Sequence, residues 1–113
     1  MNNIKKEDED NFAILRKIDQ SSKISQREMA RELGFSLGKL NYCLKALKKK
    51  GFVKLKNFQK KTNKINYLQY VVTPKGIAIR TKLTISFMRR KMKEYDELKK
   101  ELKVQKKIND KKL

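Results

Sequence analysis

Residues 24–51 read ISQREMARELGFSLGKLNYCLKALKKKG. Within this stretch Ser25 and Glu28 write an S-x-x-E capping box, and Ile24 and Met29 stand where a hydrophobic staple clips a helix start. Gly34 supplies a left-handed stop. Ser36 caps a second helix, with Phe35 and Leu40 as its staple, and Gly51 ends that helix. Two short capped helices joined by a Gly-containing turn have the pattern of a helix-turn-helix, whose second helix enters a DNA groove.

The rest of the chain is consistent with a polyanion as partner. Its 113 residues carry 31 Lys+Arg against 12 Asp+Glu, a formal charge of +19. The excess is uneven: residues 1–20 sum to −1, residues 21–74 to +11 and residues 75–113 to +9. Between residues 21 and 74 the only acids are Glu28 and Glu32. Such a field attracts nucleic acid or an anionic membrane surface; its bland alternative is a solvated, Lys-rich face. The single Cys43 excludes an intramolecular disulfide and fits a reducing compartment. With no signal sequence and no apolar stretch near the roughly 18 residues of a membrane span, a cytoplasmic protein without a membrane partner is expected.

Upstream, residues 1–10 (MNNIKKEDED) are nearly devoid of apolar groups and read as a flexible N-terminus. Their acidic run, Glu7 to Asp10, complements the dipole of a helix whose apolar face is Phe12, Ile14, Leu15 and Ile18, ended by Ser21 and Ser22. The second helix, about Gln26 to Leu33, offers Met29, Ala30 and Leu33 to a core. The third, about Leu37 to Lys50, offers Leu37, Leu40, Leu44 and Leu47.

Downstream of Gly51 the period changes from helical to alternating. Residues 52–56 and 67–72 read as strands around a ten-residue basic loop, Asn57 to Asn66, and complete a wing by Thr73. Thr73 and Pro74 are an N-cap and a first helical residue. A helix from there to about Lys107 would be on the order of 50 Å long, too long to pack only on the preceding domain. Ile85, Met88, Met92 and Tyr95 are spaced 3, 4, 3, and after a phase shift Leu98 and Leu102 continue the stripe. That is a coiled-coil-like seam with a stutter, read as a dimerisation surface; a partly packed surface helix is the alternative. The expected fold is mainly α with a small β-hairpin (α+β): a flexible segment 1–10, a winged helix-turn-helix over 11–73, a long helix over 74–107 and a frayed basic tail over 108–113.

Base reading needs side chains of modest reach near the start of the third helix. Ser36, Gly38, Lys39, Asn41, Tyr42 and Lys45 occupy that stretch. An Asn at position 41 suits bidentate pairing with adenine, and Lys39 or Lys45 suits guanine or a phosphate. Ser36 is also a cap, and Gly38 permits close backbone approach at a helix cost of about 1 kcal/mol relative to Ala. Arg27, Arg31 and Lys48 suit phosphate contacts, which position without specifying, or are solvated surface. Lys60, Lys61 and Lys64 place a basic wing against the minor groove or its phosphates.

Enzyme chemistry finds no support: the chain has no His, no Cys–His pair, no Gly-rich phosphate loop and no spaced Cys cluster for zinc. No metal, cofactor or small-molecule effector is indicated. Two further readings stay open, a non-specific DNA- or RNA-binding protein and an interaction adaptor using the long helix.

The order helix, helix-turn-helix, wing, T-P-K-G, long helix resembles the MarR winged-helix transcriptional regulators. Within them, LGKLNYCLKAL (Leu37–Leu47), KGFVK (Lys50–Lys54), NF (57–58), NK (63–64), TPKGI (Thr73–Ile77), KLT (82–84) and KMKEYDEL (Lys91–Leu98) resemble the EPS-associated subgroup. The resemblance covers roughly residues 12–103. It implies a small bacterial regulator, homodimeric on double-stranded, pseudo-palindromic DNA and associated with exopolysaccharide genes.

Overall fold

The computed structural model describes residues 5–20, 24–59 and 66–111. Its elements follow in the order α1 (Lys6–Gln20), α2 (Gln26–Leu33), α3 (Leu37–Lys49), β1 (Val53–Gln59), β2 (Asn66–Val72) and α4 (Pro74–Lys111). The mainly helical architecture with one antiparallel hairpin after the helix-turn-helix is the one expected.

The caps form as the sequence dictates. Ser25 has an extended backbone and its Oγ accepts from the Glu28 N–H at 3.1 Å. Ser36 repeats this with the Lys39 N–H at 3.1 Å. The Ser25–Glu28 box is thus made from the serine side, relieving one of the orphan donors of the first turn. Gly34 lies at φ 72°, and the following Phe35 N–H reaches back to the Ala30 carbonyl at 2.8 Å. That left-handed turn swings the chain from α2 into α3 within three residues.

The core is a single cluster. Ile14, Leu15 and Ile18 of α1, Met29 and Ala30 of α2, Leu40, Leu44 and Leu47 of α3, and Val53 of β1 are buried together. Both staple residues, Ile24 and Phe35, pack against its rim, as do Leu33, Cys43 and Tyr70. Each fully buried aliphatic side chain contributes roughly 1.5–3 kcal/mol, and six of these, Ile14, Leu15, Leu40, Leu44, Leu47 and Val53, hold three helices and a hairpin together.

Three boundaries differ from the sequence reading. Helix α1 begins at Lys6, inside the segment expected to be flexible, because its acids find cations elsewhere in the fold: Glu7 with Lys50, Glu9 with Arg90 and Asp10 with Lys39. The hairpin is longer than expected. Its register runs from Val53↔Val72 to Gln59↔Asn66, so Asn57, Phe58 and Gln59 are strand rather than loop. Helix α4 continues through residues 108–111, expected to fray, to Lys111.

The base of the wing is latched to α4. The Thr73 N–H donates to the Phe52 carbonyl at 3.0 Å, its Oγ1 donates to the Gly51 carbonyl at 2.5 Å, and the Gly76 N–H donates to that same Oγ1 at 3.0 Å. Thr73 therefore caps α4 and closes the hairpin with one side chain. Gly76 is buried directly beneath: a Cβ there would lie 2.0 Å from the Phe52 carbonyl oxygen.

Only the first part of α4 touches the domain. Leu83 is buried, Phe87 stacks on Phe12 at 4.8 Å between ring centroids, Arg80 pairs with Asp19 and Arg90 with Glu9. Beyond Arg90 every described residue of the helix is exposed. The radius of gyration is accordingly 20.3 Å, against about 13 Å for a compact chain of this length. Among the described residues no helix is long and apolar enough to cross a membrane.

Candidate nucleic-acid interface

Helix α3 turns Leu40, Leu44 and Leu47 into the core and leaves the opposite face outward. On that face Gly38, Tyr42, Lys45 and Lys48 are exposed and Asn41 is half-buried. Tyr42, 76% exposed, is the most open large hydrophobic side chain of the described residues; its neighbours at 40 and 44 take the core positions, as their spacing requires. Ser36 is occupied as a helix cap. Nothing lies within 4 Å of where a Gly38 side chain would begin, so packing does not account for that glycine.

Arg27 and Arg31 stand on the exposed face of α2 one turn apart, and neither joins an ion pair among the described residues. The same holds for Lys45 and Lys48. Of the two acids in this region, Glu32 is neutralised by Lys17 of α1 at 3.2 Å. Glu28 sits in the first turn of α2, where its charge complements the helix dipole.

Lys39 behaves differently. Its Nζ lies 3.1 Å from Oδ2 of Asp10 and 4.1 Å from the centre of the Phe35 ring, so the ammonium is turned toward α1. The wing lysines Lys60, Lys61 and Lys64 lie outside the described residues. The strands that lead to them carry Lys54 and Lys56, both exposed.

Cys43, on the flank of α3, is half-buried and its thiol is pushed above the ordinary range. Burial is the main cause, the Asp10 carboxylate the next; Lys39 pulls the other way and Glu7 adds to the rise. The thiol is therefore the neutral form at ordinary pH and not a reactive thiolate. On α4, a hydrogen bond to Glu9 raises the Arg90 guanidinium above its already high value.

The stripe expected to pair is fully laid out. Ile85, Met88, Met92, Tyr95, Leu98 and Leu102 are all exposed; Val104 and Ile108, also exposed, fall on the opposite side of the helix. A groove of about 560 Å³ opens between α1 and α4 beside Phe12, Arg16, Arg80 and Phe87, with Met88 and Met92 on its rim. The Arg80 Nε within this region is buried without a hydrogen-bond partner among the described residues.

Sequence reasoning missed four residues that shape this surface: Glu7, Asp10, Lys50 and Gly76. The acids carried a signal, since Glu7 and Asp10 are three apart and share a helix face, but their partners are 43 and 29 positions away.

Comparison with known proteins places these features. Residues 8–54 match the winged helix-turn-helix DNA-binding family model. No curated protein matches the chain. Among solved structures, the MarR family transcription regulator SP03579 aligns with a TM-score of 0.64 at 17% identity, over 92% of this chain and 68% of that one. MepR, a transcription regulator of the Staphylococcus aureus multidrug efflux pump MepA, aligns at 0.62 and 19% identity, over 97% and 77%. Streptococcus pneumoniae FabT, solved in complex with DNA, aligns at 0.54 and 17% identity, over 84% and 62%. The chain thus carries a winged helix-turn-helix domain on the fold of the MarR-family transcription regulators.

Proposed function

We propose that this protein is a DNA-binding transcription regulator that acts in the cytoplasm as a homodimer on a pseudo-palindromic site. The observation that carries the reading is the outward face of α3. It is polar and basic, lacks any acid, and is mounted by two capped turns beside a hairpin wing. Residues 11–73 form the reading unit and residues 74–107 the pairing helix. In the reading unit Gly38, Asn41, Tyr42 and Lys45 face the groove, with Asn41 on adenine, while Ser36 caps the helix and Lys39 is turned toward Asp10. Arg27, Arg31 and Lys48 hold phosphates, and Lys60, Lys61 and Lys64 bring the wing to the backbone or minor groove. FabT, similar in fold, was solved on DNA, which supports this use of the domain.

The stripe from Ile85 to Leu102 supports the homodimer. Six large apolar side chains along one helix remain in water in the single chain, and a second copy offers the same surface for their burial. Two α3 helices set about 34–36 Å apart would read half-sites one turn apart. Selection of bound sequences from randomised duplex DNA tests both halves of the reading. A symmetric motif with half-sites about 10–10.5 bp apart is expected; enrichment of no sequence would leave a non-specific binder. Control of exopolysaccharide genes is supported by the resemblance of strings such as LGKLNYCLKAL and KMKEYDEL. Transcript profiling after deletion of the gene in its native host tests it, with change in an exopolysaccharide cluster as the expected outcome.

A further inference from the structure

We propose that Asp10 withholds the Lys39 ammonium from DNA phosphate and so removes one charge from the sequence-independent attraction of the reading helix. This rests on the DNA-binding reading above and adds a residue to it that lies outside the helix-turn-helix.

The geometry is specific to one lysine. On the outward side of α3, Lys45 and Lys48 are exposed and make no ion pair among the described residues. Lys39, in the first turn where base edges are met, is held between a carboxylate at 3.1 Å and the face of Phe35 at 4.1 Å. The Asp10 side chain is only 13% exposed, and that of Lys39 is 39% exposed. Releasing Lys39 would leave that largely shielded carboxylate with Lys6, at 3.9 Å, as its remaining cation among the described residues. With its carboxylate so shielded, this pair is screened by salt less than a pair exposed on both sides. Glu7 and Lys50 repeat the arrangement at the other end of α3 at 3.3 Å, but in the open, where salt screens it.

The functional consequence follows from counterion release. Each lysine that neutralises a phosphate adds affinity on every sequence and steepens the salt dependence by about 0.9 in log–log slope. Lys39 carries its own fixed counterion in Asp10 and contributes no such term. Affinity therefore falls by the same factor on random and cognate DNA, binding becomes less steep in salt, and discrimination is left to the uncharged readers Asn41 and Tyr42.

The test measures binding to a random-sequence duplex by fluorescence anisotropy between 50 and 200 mM salt, for the full chain and for Asp10→Asn, Lys39→Gln, the double variant and Asp8→Asn. Asp10→Asn is expected to steepen the slope by about 0.9, an extra loss of roughly 3.5-fold across that range. Lys39→Gln, the double variant and the charge-matched Asp8→Asn are expected to keep the wild-type slope. An unchanged slope in Asp10→Asn, or equal steepening in the Lys39→Gln background, overturns the proposal. So does a flattening of about 0.9 in Lys39→Gln alone, and that variant decides the matter if Asp10→Asn fails to fold. Titration of the Cys43 thiol gives a second readout in free protein: it should fall in Asp10→Asn, and no change would mean that the carboxylate does not face α3. A wild-type chain that binds no duplex at 50 mM defeats the DNA reading itself; binding with unaltered slopes defeats only the role of Asp10.

Discussion

Replacing Gly76 by alanine sets two opposed effects against each other, and the structure decides their sign. An alanine inside a helix is ordinarily worth about 1 kcal/mol over glycine, and Gly76 is in the first turn of a 38-residue helix. Here the added Cβ would lie 2.0 Å from the Phe52 carbonyl oxygen, 2.9 Å from its carbon and 2.7 Å from a methyl of Val72. Two of those three atoms are backbone, and the Phe52 carbonyl already accepts from the Thr73 N–H at 3.0 Å. The helix must therefore lift off the wing base and loosen the Thr73 latch. Overpacking costs about 1–3 kcal/mol or more, and with the latch weakened a net loss of about 2 kcal/mol is expected. For a domain of this size that lowers Tm by roughly 8–16 °C. Thermal and urea unfolding followed by circular dichroism, at one fixed protomer concentration because pairing shifts apparent stability, measures it. Gly38→Ala is the matched control, since open space surrounds that position. A Gly76→Ala protein as stable as wild type would refute the reasoning about the junction.

Gly38→Ala itself should hold or raise Tm, by up to about 1 kcal/mol of helix propensity, while weakening DNA binding in a gel shift; unchanged affinity would remove the close approach proposed for it. Asn41→Ala should lower affinity for the selected site and leave random duplex unaffected, whereas Lys60→Ala or Lys64→Ala should weaken both and flatten the salt slope by about 0.9 each. Met92→Glu, in the exposed stripe, should convert a dimer to a monomer in light scattering at micromolar concentration; a wild-type chain that is already monomeric would end the pairing proposal. The Cys43 thiol is held above its ordinary range in the fold, so its contribution to stability is complete below the unfolded-state value and lost as pH rises through the folded one. Unfolding measured across the alkaline range should show that loss in wild type and a smaller one in Cys43→Ala.

Local chemistry made much of this protein legible. Ser25, Gly34, Ser36, Gly51 and Thr73 act on their own neighbours within three or four residues, so at these five positions the helix boundaries are legible and the structure agrees to within a residue or two. The Leu40, Leu44 and Leu47 spacing likewise decides which face of α3 is left for solvent, and with it the exposure of Tyr42 and Lys45. What the sequence alone could not settle depends on contacts between distant segments. The acidic run before Phe12 reads locally as a frayed, dipole-complementing tail. It becomes the first turns of α1 because α3 and α4 bring Lys39, Lys50 and Arg90 to it. Gly76 carries no local sign of the Phe52 carbonyl that lies beneath it. The long apolar stripe was visible from its 3-4-3 spacing, but only the packing of α4 shows that contact with the domain ends near Arg90 and leaves the remainder in water. Capping and periodicity are short-range and additive, and survive in the bare sequence; charge pairing and close approach need three-dimensional proximity, which the tertiary fold supplies.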